Sequence, residues 1–163
     1  MIGKKMEKAL NDQVNAELYS AYIYLAMAAY FENKTLRGFA HWMRQQYNEE
    51  VGHAMKFFDF MIERGGRVQL QKIDEPPNTW DSPLAAFETA YKHEVYISGR
   101  IHDLVKLSAE ENDLPAHYFL SWFVNEQVEE EASTDEVVQH LKMIGDSTGG
   151  LLMLDHNLGK RGE

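Results

Sequence analysis

The chain has 163 residues, with 16 Lys and Arg against 26 Asp and Glu, so its formal net charge is −10 at pH 7. This acidic balance argues against nucleic acid as a partner, because contact with phosphates needs a basic surface. The absence of cysteine excludes disulfides, thiolate zinc sites, iron–sulfur clusters and cysteine nucleophiles. No apolar stretch approaches the ~20 residues of a membrane span, and none follows the N-terminal lysines as in a secretory signal. We therefore expect a soluble cytoplasmic protein, with one domain over residues 1–163, that does not bind membranes.

Four long segments each carry apolar residues at alternating steps of three and four, the spacing of a helix that buries one face. Ser82 followed by Pro83 is typical of a helix start, and Gly65-Gly66 is typical of a helix end. Helices of this length would each measure ~42–45 Å. The predicted helices cover about residues 4–33, 36–64, 83–111 and 114–144.

The connections between these helices differ in length. The short links within the first and second pairs predict two antiparallel hairpins. Residues 65–81 form a long connection that contains Pro76-Pro77, and ~17 extended residues reach at most ~56–61 Å, enough to cross the whole bundle. We therefore predict an all-α four-helix bundle in up-down-down-up order, with one long crossover. An apolar segment at about residues 149–158 predicts a short C-terminal fifth helix.

Charged and polar residues interrupt the apolar faces of all four long helices. A lone buried carboxylate is very unfavourable, and buried acids are normally paired with a cation or bound to a metal. No Lys or Arg shares these faces at the same level. Helix geometry places the four glutamates ~21–26 Å from the hairpin turns, so that they converge at mid-bundle. The interrupting residues are Glu17, Glu50, His53, Glu94, Gln127 and Glu130.

Each of these features has an ordinary explanation when taken alone. Glu50 and His53 share a helix face at a spacing of three residues, which occurs by accident as well as in metal sites. The run 129–131 could be a solvated acidic surface, and Tyr24 could be a core aromatic. The interrupting residues agree in helical phase and in height along the bundle, and this agreement predicts a metal site. Carboxylates with one imidazole suit iron or manganese, and a bridging carboxylate allows two ions to bind.

Five segments carry a resemblance that covers essentially the whole chain: 15–22, 49–55, 75–77, 123–131 and 151–155. In these segments the chain resembles the non-haem ferritins of bacteria and archaea, within the ferritin-like di-iron carboxylate class. The resemblance implies that Glu17, Glu50 and His53 hold a first iron. Glu50 would also bridge to a second iron held by Glu94 and Glu130.

The resemblance also implies roles for side chains beside this pair. Gln127 would lie next to the two ions, close to an oxygen species or water, and Tyr24 would act in or near electron transfer. Prokaryotic ferritins have a third iron site, which shares Glu130. Its other ligands here would be Glu49, Glu126 and Glu129, which could instead form a solvated acidic face.

Two departures from related families narrow the expected chemistry. Relatives with two Glu-x-x-His motifs have His where this chain has Glu130, so the carboxylate-rich second site should release iron after oxidation. Gly52 stands where an interface haem would need methionine, and we therefore predict no haem, with Met55 as the alternative ligand. The absence of cysteine removes the rubredoxin-like iron centre of the rubrerythrins.

The resemblance thus implies an iron-storage ferroxidase. Fe(II) would be oxidised by O2 or H2O2, and Fe(III) would be stored as a mineral inside a homo-oligomeric cage of twenty-four subunits. The apolar fifth helix would support assembly, or would pack on the end of its own bundle. The alternatives are a di-iron oxidase or peroxidase without storage, a DNA-protecting mini-ferritin, and a purely structural bundle.

Overall fold

The computed structural model describes residues 1–163 and consists of helices and their connections, with no strand. It confirms the predicted all-α bundle of four long helices with a short fifth helix. No helix is both long enough and apolar enough to cross a membrane. The helices are α1 (Lys4–Asn33), α2 (Arg37–Glu63), α3 (Pro83–Glu110), α4 (Leu114–Ile144) and α5 (Thr148–Leu158).

Side-chain caps define where α3 and α4 begin. Ser82 Oγ accepts a hydrogen bond from the backbone N–H of Ala85 at 3.0 Å, and Pro83 follows in the first turn. Asp113 caps α4 in the same way, and its carboxylate also receives two hydrogen bonds from Arg64 at 2.9 and 3.1 Å. The start of α4 is therefore fastened to the end of α2. Such caps satisfy backbone N–H groups that have no partner within the helix.

Two apolar clusters occupy the two ends of the bundle. The first cluster contains Phe31 near the end of α1, together with Phe39 and Phe87 near the starts of α2 and α3. The second cluster contains Leu10 near the start of α1 and Met61 near the end of α2. The start of α4 lies in the second cluster and its end in the first. These positions establish the up-down-down-up order.

The connection between α2 and α3 runs back along the bundle, and Asn11 on α1 holds it in place. The Asn11 side-chain amide donates to the carbonyl of Arg67 at 3.0 Å, and its oxygen accepts from the N–H of Gln69 at 2.6 Å. Asn15, one turn further along α1, donates to the carbonyl of Lys72 at 3.0 Å. The first helix therefore provides a row of amides that guides the crossover.

The fifth helix packs across the start of α2. Leu36 precedes α2 and offers no capping side chain, so Asp155 of α5 accepts the hydrogen bond from the N–H of Phe39 at 3.0 Å. Leu154 is buried in the first cluster, whereas Leu152 and Met153 are 57% and 69% exposed. One face of α5 thus packs on its own bundle, and the other presents apolar side chains outward.

Gly38 allows this close approach, and substitution by alanine tests it. A Cβ at Gly38 would lie 1.6 Å from the carbonyl oxygen of Asp155, so Gly38→Ala must push α5 away. Loss of the cap and of Leu154 burial should lower the free energy of unfolding by roughly 2–4 kcal/mol. Thermal unfolding and hydrogen exchange in α5 measure this effect.

Gly99→Ala is the matched control, because a Cβ at Gly99 meets no atom within 4 Å. Alanine favours a helix more than glycine does, so this variant should be as stable as the unaltered protein or slightly more stable. Equal melting temperatures for the two alanine variants would contradict the tight packing at Gly38.

Candidate metal centre

A layer of buried polar side chains separates the two apolar clusters. On each long helix these side chains lie on the buried face, and all except Ser98 fall in the sequence between residues of the first cluster and residues of the second. Every sequence-predicted residue of the di-iron site lies in this layer. Its members are Glu17, Ser20, Gln46, Glu50, His53, Glu94, Ser98, Gln127, Glu130 and Thr134.

The carboxylates in the layer form two groups that share one member. Glu17, Glu50 and His53 each offer a ligand atom, and these atoms lie within 4.8 Å of one another. Glu50, Glu94 and Glu130 form the second group within the same limit. A carboxylate common to two such groups is suited to bridge two cations.

Two oxygen atoms in the layer have no hydrogen-bond partner, namely Glu17 Oε2 and Glu50 Oε1. Buried polar atoms are almost always hydrogen-bonded, so each such exception needs an explanation. Both atoms belong to the group that includes His53, whose Nδ1 lies 3.2 Å from Glu50 Oε2. A cation at this position would satisfy both oxygens, and the donor set fits a hard or borderline metal ion.

Tyr24 and Gln127 both contact Glu94. The Tyr24 hydroxyl donates to Glu94 Oε1 at 2.5 Å, and Gln127 Nε2 donates to Glu94 Oε2 at 3.2 Å. Burial and the neighbouring carboxylates raise the pKa of Tyr24 well above its ordinary value. The tyrosine therefore keeps its proton and can act as a hydrogen-bond donor at the site.

Burial also raises the pKa of the four glutamates in the layer. It raises the pKa of Glu94 and of Glu130 to about 7, and it raises the pKa of Glu17 above its ordinary value. Burial together with the nearby charges of Glu94, Glu17 and Glu130 raises the pKa of Glu50 well above its usual range. Protons and a cation therefore compete for the same oxygens, because carboxylates bind metal in the deprotonated form.

The residues predicted for a third iron site are only partly brought together. Glu126 lies 3.7 Å from His53 Nε2, and these two side chains form a group with Glu130. Glu49 lies outside such groups and instead pairs with Arg161 at 2.9 Å. Glu129 is exposed and is also outside them.

Four residues near the site are not among the predicted ligands. Gln13 and Gln46 are fully buried and donate to Glu17 and Glu130 at 2.7 and 2.8 Å. Gln13 lies four residues before Glu17, a spacing that could have indicated it. Each glutamine also contacts an arginine, so positive charge reaches the layer although no arginine lies on the buried faces. These arginines are Arg100 and Arg161.

The raised pKa values predict how the stability of the metal-free protein depends on pH. A carboxyl group with a higher pKa in the folded state binds protons more tightly when folded than when unfolded. The contribution of Glu94 and Glu130 to the free energy of unfolding should therefore fall as the pH rises from 4.5, the unfolded value, through about 7. Burial lowers the pKa of His93 to about 4, which acts in the opposite direction, so the effect is measured as a difference between variants. Thermal unfolding in chelator between pH 5 and pH 8 measures this.

Glu130→Gln is the matched variant, because its amide oxygen can still accept the hydrogen bond from Gln46. Its stability should vary less with pH than that of the unaltered protein. An identical pH dependence of the melting temperature in the Glu130→Gln variant and the unaltered protein would show that the pKa of Glu130 is not raised by folding.

Comparison with known proteins identifies the family of this chain. Residues 7–144 match the family described as Ferritin-like domain. The chain is 43% identical to a bacterial non-heme ferritin of Bacteroides fragilis, over 99% of the chain and 100% of that relative. A bacterial non-heme ferritin of Staphylococcus aureus is 34% identical over 99% of the chain and 97% of its own length.

Solved structures give the same result. A crystal structure described as a novel open pore ferritin from the hyperthermophilic archaeon Archaeoglobus fulgidus superposes with a TM-score of 0.98. The two sequences are 55% identical, and the alignment covers 99% of each chain. Because the family match and these relatives extend over almost the whole sequence, this chain belongs to the ferritin family.

Proposed function

We propose that this protein is an iron-storage ferroxidase. It binds two Fe(II) ions in the mid-bundle layer, oxidises them with O2 or H2O2, and stores Fe(III) as a mineral inside a hollow cage of twenty-four copies. The observation that carries the proposal is the buried pair of overlapping carboxylate groups, with Glu50 common to both and two oxygens without partners. The non-heme ferritins among its relatives support the same assignment.

The proposed first ion is held by Glu17, Glu50 and His53. The proposed second ion is held by Glu50, Glu94 and Glu130. Four carboxylates offset the charge of two divalent cations, which removes the cost of burying the acids unpaired. Carboxylate oxygens favour Fe(III) over Fe(II), because the harder, more highly charged ion gains more from them.

The electron balance requires two ions at one site. Two Fe(II) ions each give one electron to O2, which takes up two protons and leaves as H2O2. When H2O2 is the oxidant, the same two electrons and two protons convert it to two water molecules. By holding both donors around one oxidant, the protein replaces a termolecular encounter with a reaction at a prepared site. Tyr24 and Gln127, both bonded to Glu94, lie beside the pair and keep that carboxylate oriented.

We propose that iron leaves the di-iron site past Glu126 after it has been oxidised. This residue is half-buried and lies 3.7 Å from His53 Nε2, whereas the di-iron residues are buried. Glu126 and the shared Glu130 would form a third iron position, with Glu49 and Glu129 as further oxygen ligands. Because Glu130 stands where related di-iron proteins have His, the second site is rich in carboxylates, and we expect it to release Fe(III) after oxidation.

Storage requires an enclosed space that a single bundle lacks, so we propose assembly of copies into a cage. The exposed Leu152 and Met153 of α5 provide apolar contacts for neighbouring copies. The homologous Archaeoglobus fulgidus protein is itself described as an open pore ferritin. We expect no haem in this assembly.

Replacing Glu17 and the shared residue Glu50 tests the ferroxidase proposal. Glu17→Ala combined with Glu50→Ala removes ligands for both ions and should abolish the fast phase of Fe(II) oxidation. The variant should still fold and assemble, because it loses two acids whose burial raises their pKa. Stopped-flow absorbance measures oxidation, and size-exclusion chromatography measures assembly.

The matched control is Glu136→Gln, which changes an exposed acid of α4 outside the site. Its oxidation rate should equal that of the unaltered protein. Oxidation at the normal rate by the double alanine variant would show that iron is oxidised elsewhere on the protein.

A further inference from the structure

Two arginines outside the polar layer reach it through one buried glutamine each. Arg100 of α3 donates from Nε to Gln13 Oε1 at 3.0 Å, and Gln13 Nε2 donates to Glu17 Oε1 at 2.7 Å. Arg100 also acts on Glu17 over a distance, since its charge lowers the pKa that burial raises. This chain of hydrogen bonds ends on a residue of the first proposed ion site.

A second chain of the same kind reaches the other proposed ion site. Arg161, which follows α5, donates from Nη2 to Gln46 Oε1 at 2.5 Å. Gln46 Nε2 donates in turn to Glu130 Oε2 at 2.8 Å. Gln46, like Gln13, is fully buried, and the bond that each glutamine makes to its glutamate is buried as well. The two chains enter the layer from different helices and end on different glutamates.

The order of the groups determines how each glutamine must be oriented. An arginine guanidinium has only N–H donors, so it faces the amide oxygen of the glutamine. The amide NH2 must then face the carboxylate, because the reverse orientation would place donors against donors. This bond holds the accepting carboxylate oxygen toward the glutamine. In Glu17 the other oxygen, Oε2, is the one without a partner.

We propose that Arg100 and Arg161 are positioning residues for the two ions, a role that rests on the proposed function. Arg100 orients Glu17 at the first ion site, and Arg161 orients Glu130 at the second, each through its glutamine. Each chain of bonds fixes one carboxylate oxygen and leaves the other for the cation. Groups that orient metal ligands in this way typically change metal affinity ten- to a hundredfold.

The position of Arg161 links the second ion site to the C-terminal segment. Its guanidinium lies 4.5 Å from the ring centre of Trp42, and its backbone carbonyl accepts from His41 Nε2 at 2.8 Å. The same guanidinium pairs with Glu49 at 2.9 Å. An ion that recruited Glu49 would therefore compete with Arg161, and loss of this pair would free Gln46 to rotate.

Anaerobic titration with Co²⁺, followed by visible absorption, tests the proposal in the assembled protein. The unaltered protein should bind two Co²⁺ per chain at this site. Arg161→Gln and Arg100→Gln should each weaken one of the two binding events about tenfold and leave the other nearly unchanged. Arg44→Gln is the control, because Arg44 pairs with Glu32 at 3.4 Å on the surface and should have no effect.

A double-mutant cycle separates positioning from general stabilisation. If Arg161 acts through Gln46, then Arg161→Gln should cause no further loss of Co²⁺ affinity when Gln46→Met is already present. Arg161→Lys should restore part of the affinity, because an ammonium group also donates to the amide oxygen. A purely structural role would lower the melting temperature without selecting one binding event.

Three outcomes would overturn the inference. The first is equal binding of two Co²⁺ by the unaltered protein and both arginine variants, which leaves the proposed function intact. The second is an additive loss of Co²⁺ affinity when Arg161→Gln and Gln46→Met are combined, which would show that Arg161 does not act through Gln46. The third is failure of the unaltered protein to bind Co²⁺, which would remove the proposed function as well.

Discussion

The cost of burying carboxylates without counter-charge is the constraint on which the rest of this structure depends. Four glutamates lie within one layer at mid-bundle, and burial raises the pKa of each. A folded chain can tolerate this layer if the acids are protonated, if they are bonded to donors, or if cations bind. Tyr24 and three glutamines supply donors to the layer, but two oxygens stay without partners. A cation bound between Glu17 and Glu50 would satisfy both of these oxygens.

The apolar clusters at the two ends make this arrangement possible. They bury aromatic and aliphatic side chains of all four long helices above and below the polar layer. Their separation also places the layer at the same height on every helix. The crossover, held by Asn11 and Asn15, brings the second hairpin alongside the first in the order that this convergence requires. The apolar clusters and the layer of buried acids thus occupy different levels of one bundle.

Sequence periodicity was sufficient to predict the helices and the buried position of Glu17, Glu50, Glu94 and Glu130, because a helix converts spacing directly into phase and height. The crossover was predicted from the length of the connection over residues 65–81. Periodicity could not predict the contacts of Arg161. That residue follows α5, and its position depends on how the C-terminal segment packs across the start of α2. The two faces of α5 were unpredictable for the same reason, since Leu154 is buried by a tertiary contact while Leu152 stays exposed. The arrangement around Glu49 likewise depends on Arg161 rather than on its own helix.

The most direct test of the account is aerobic Fe(II) loading of the metal-free protein, with the iron that co-elutes in size-exclusion chromatography counted per chain. The account predicts dozens of iron atoms per chain in a particle of cage size, because only an enclosed mineral can hold more iron than the carboxylate layer can bind. Saturation at two or three atoms per chain would contradict storage and would leave a di-iron oxidase or peroxidase. A complete lack of retained iron would contradict the assignment of the buried carboxylates to metal.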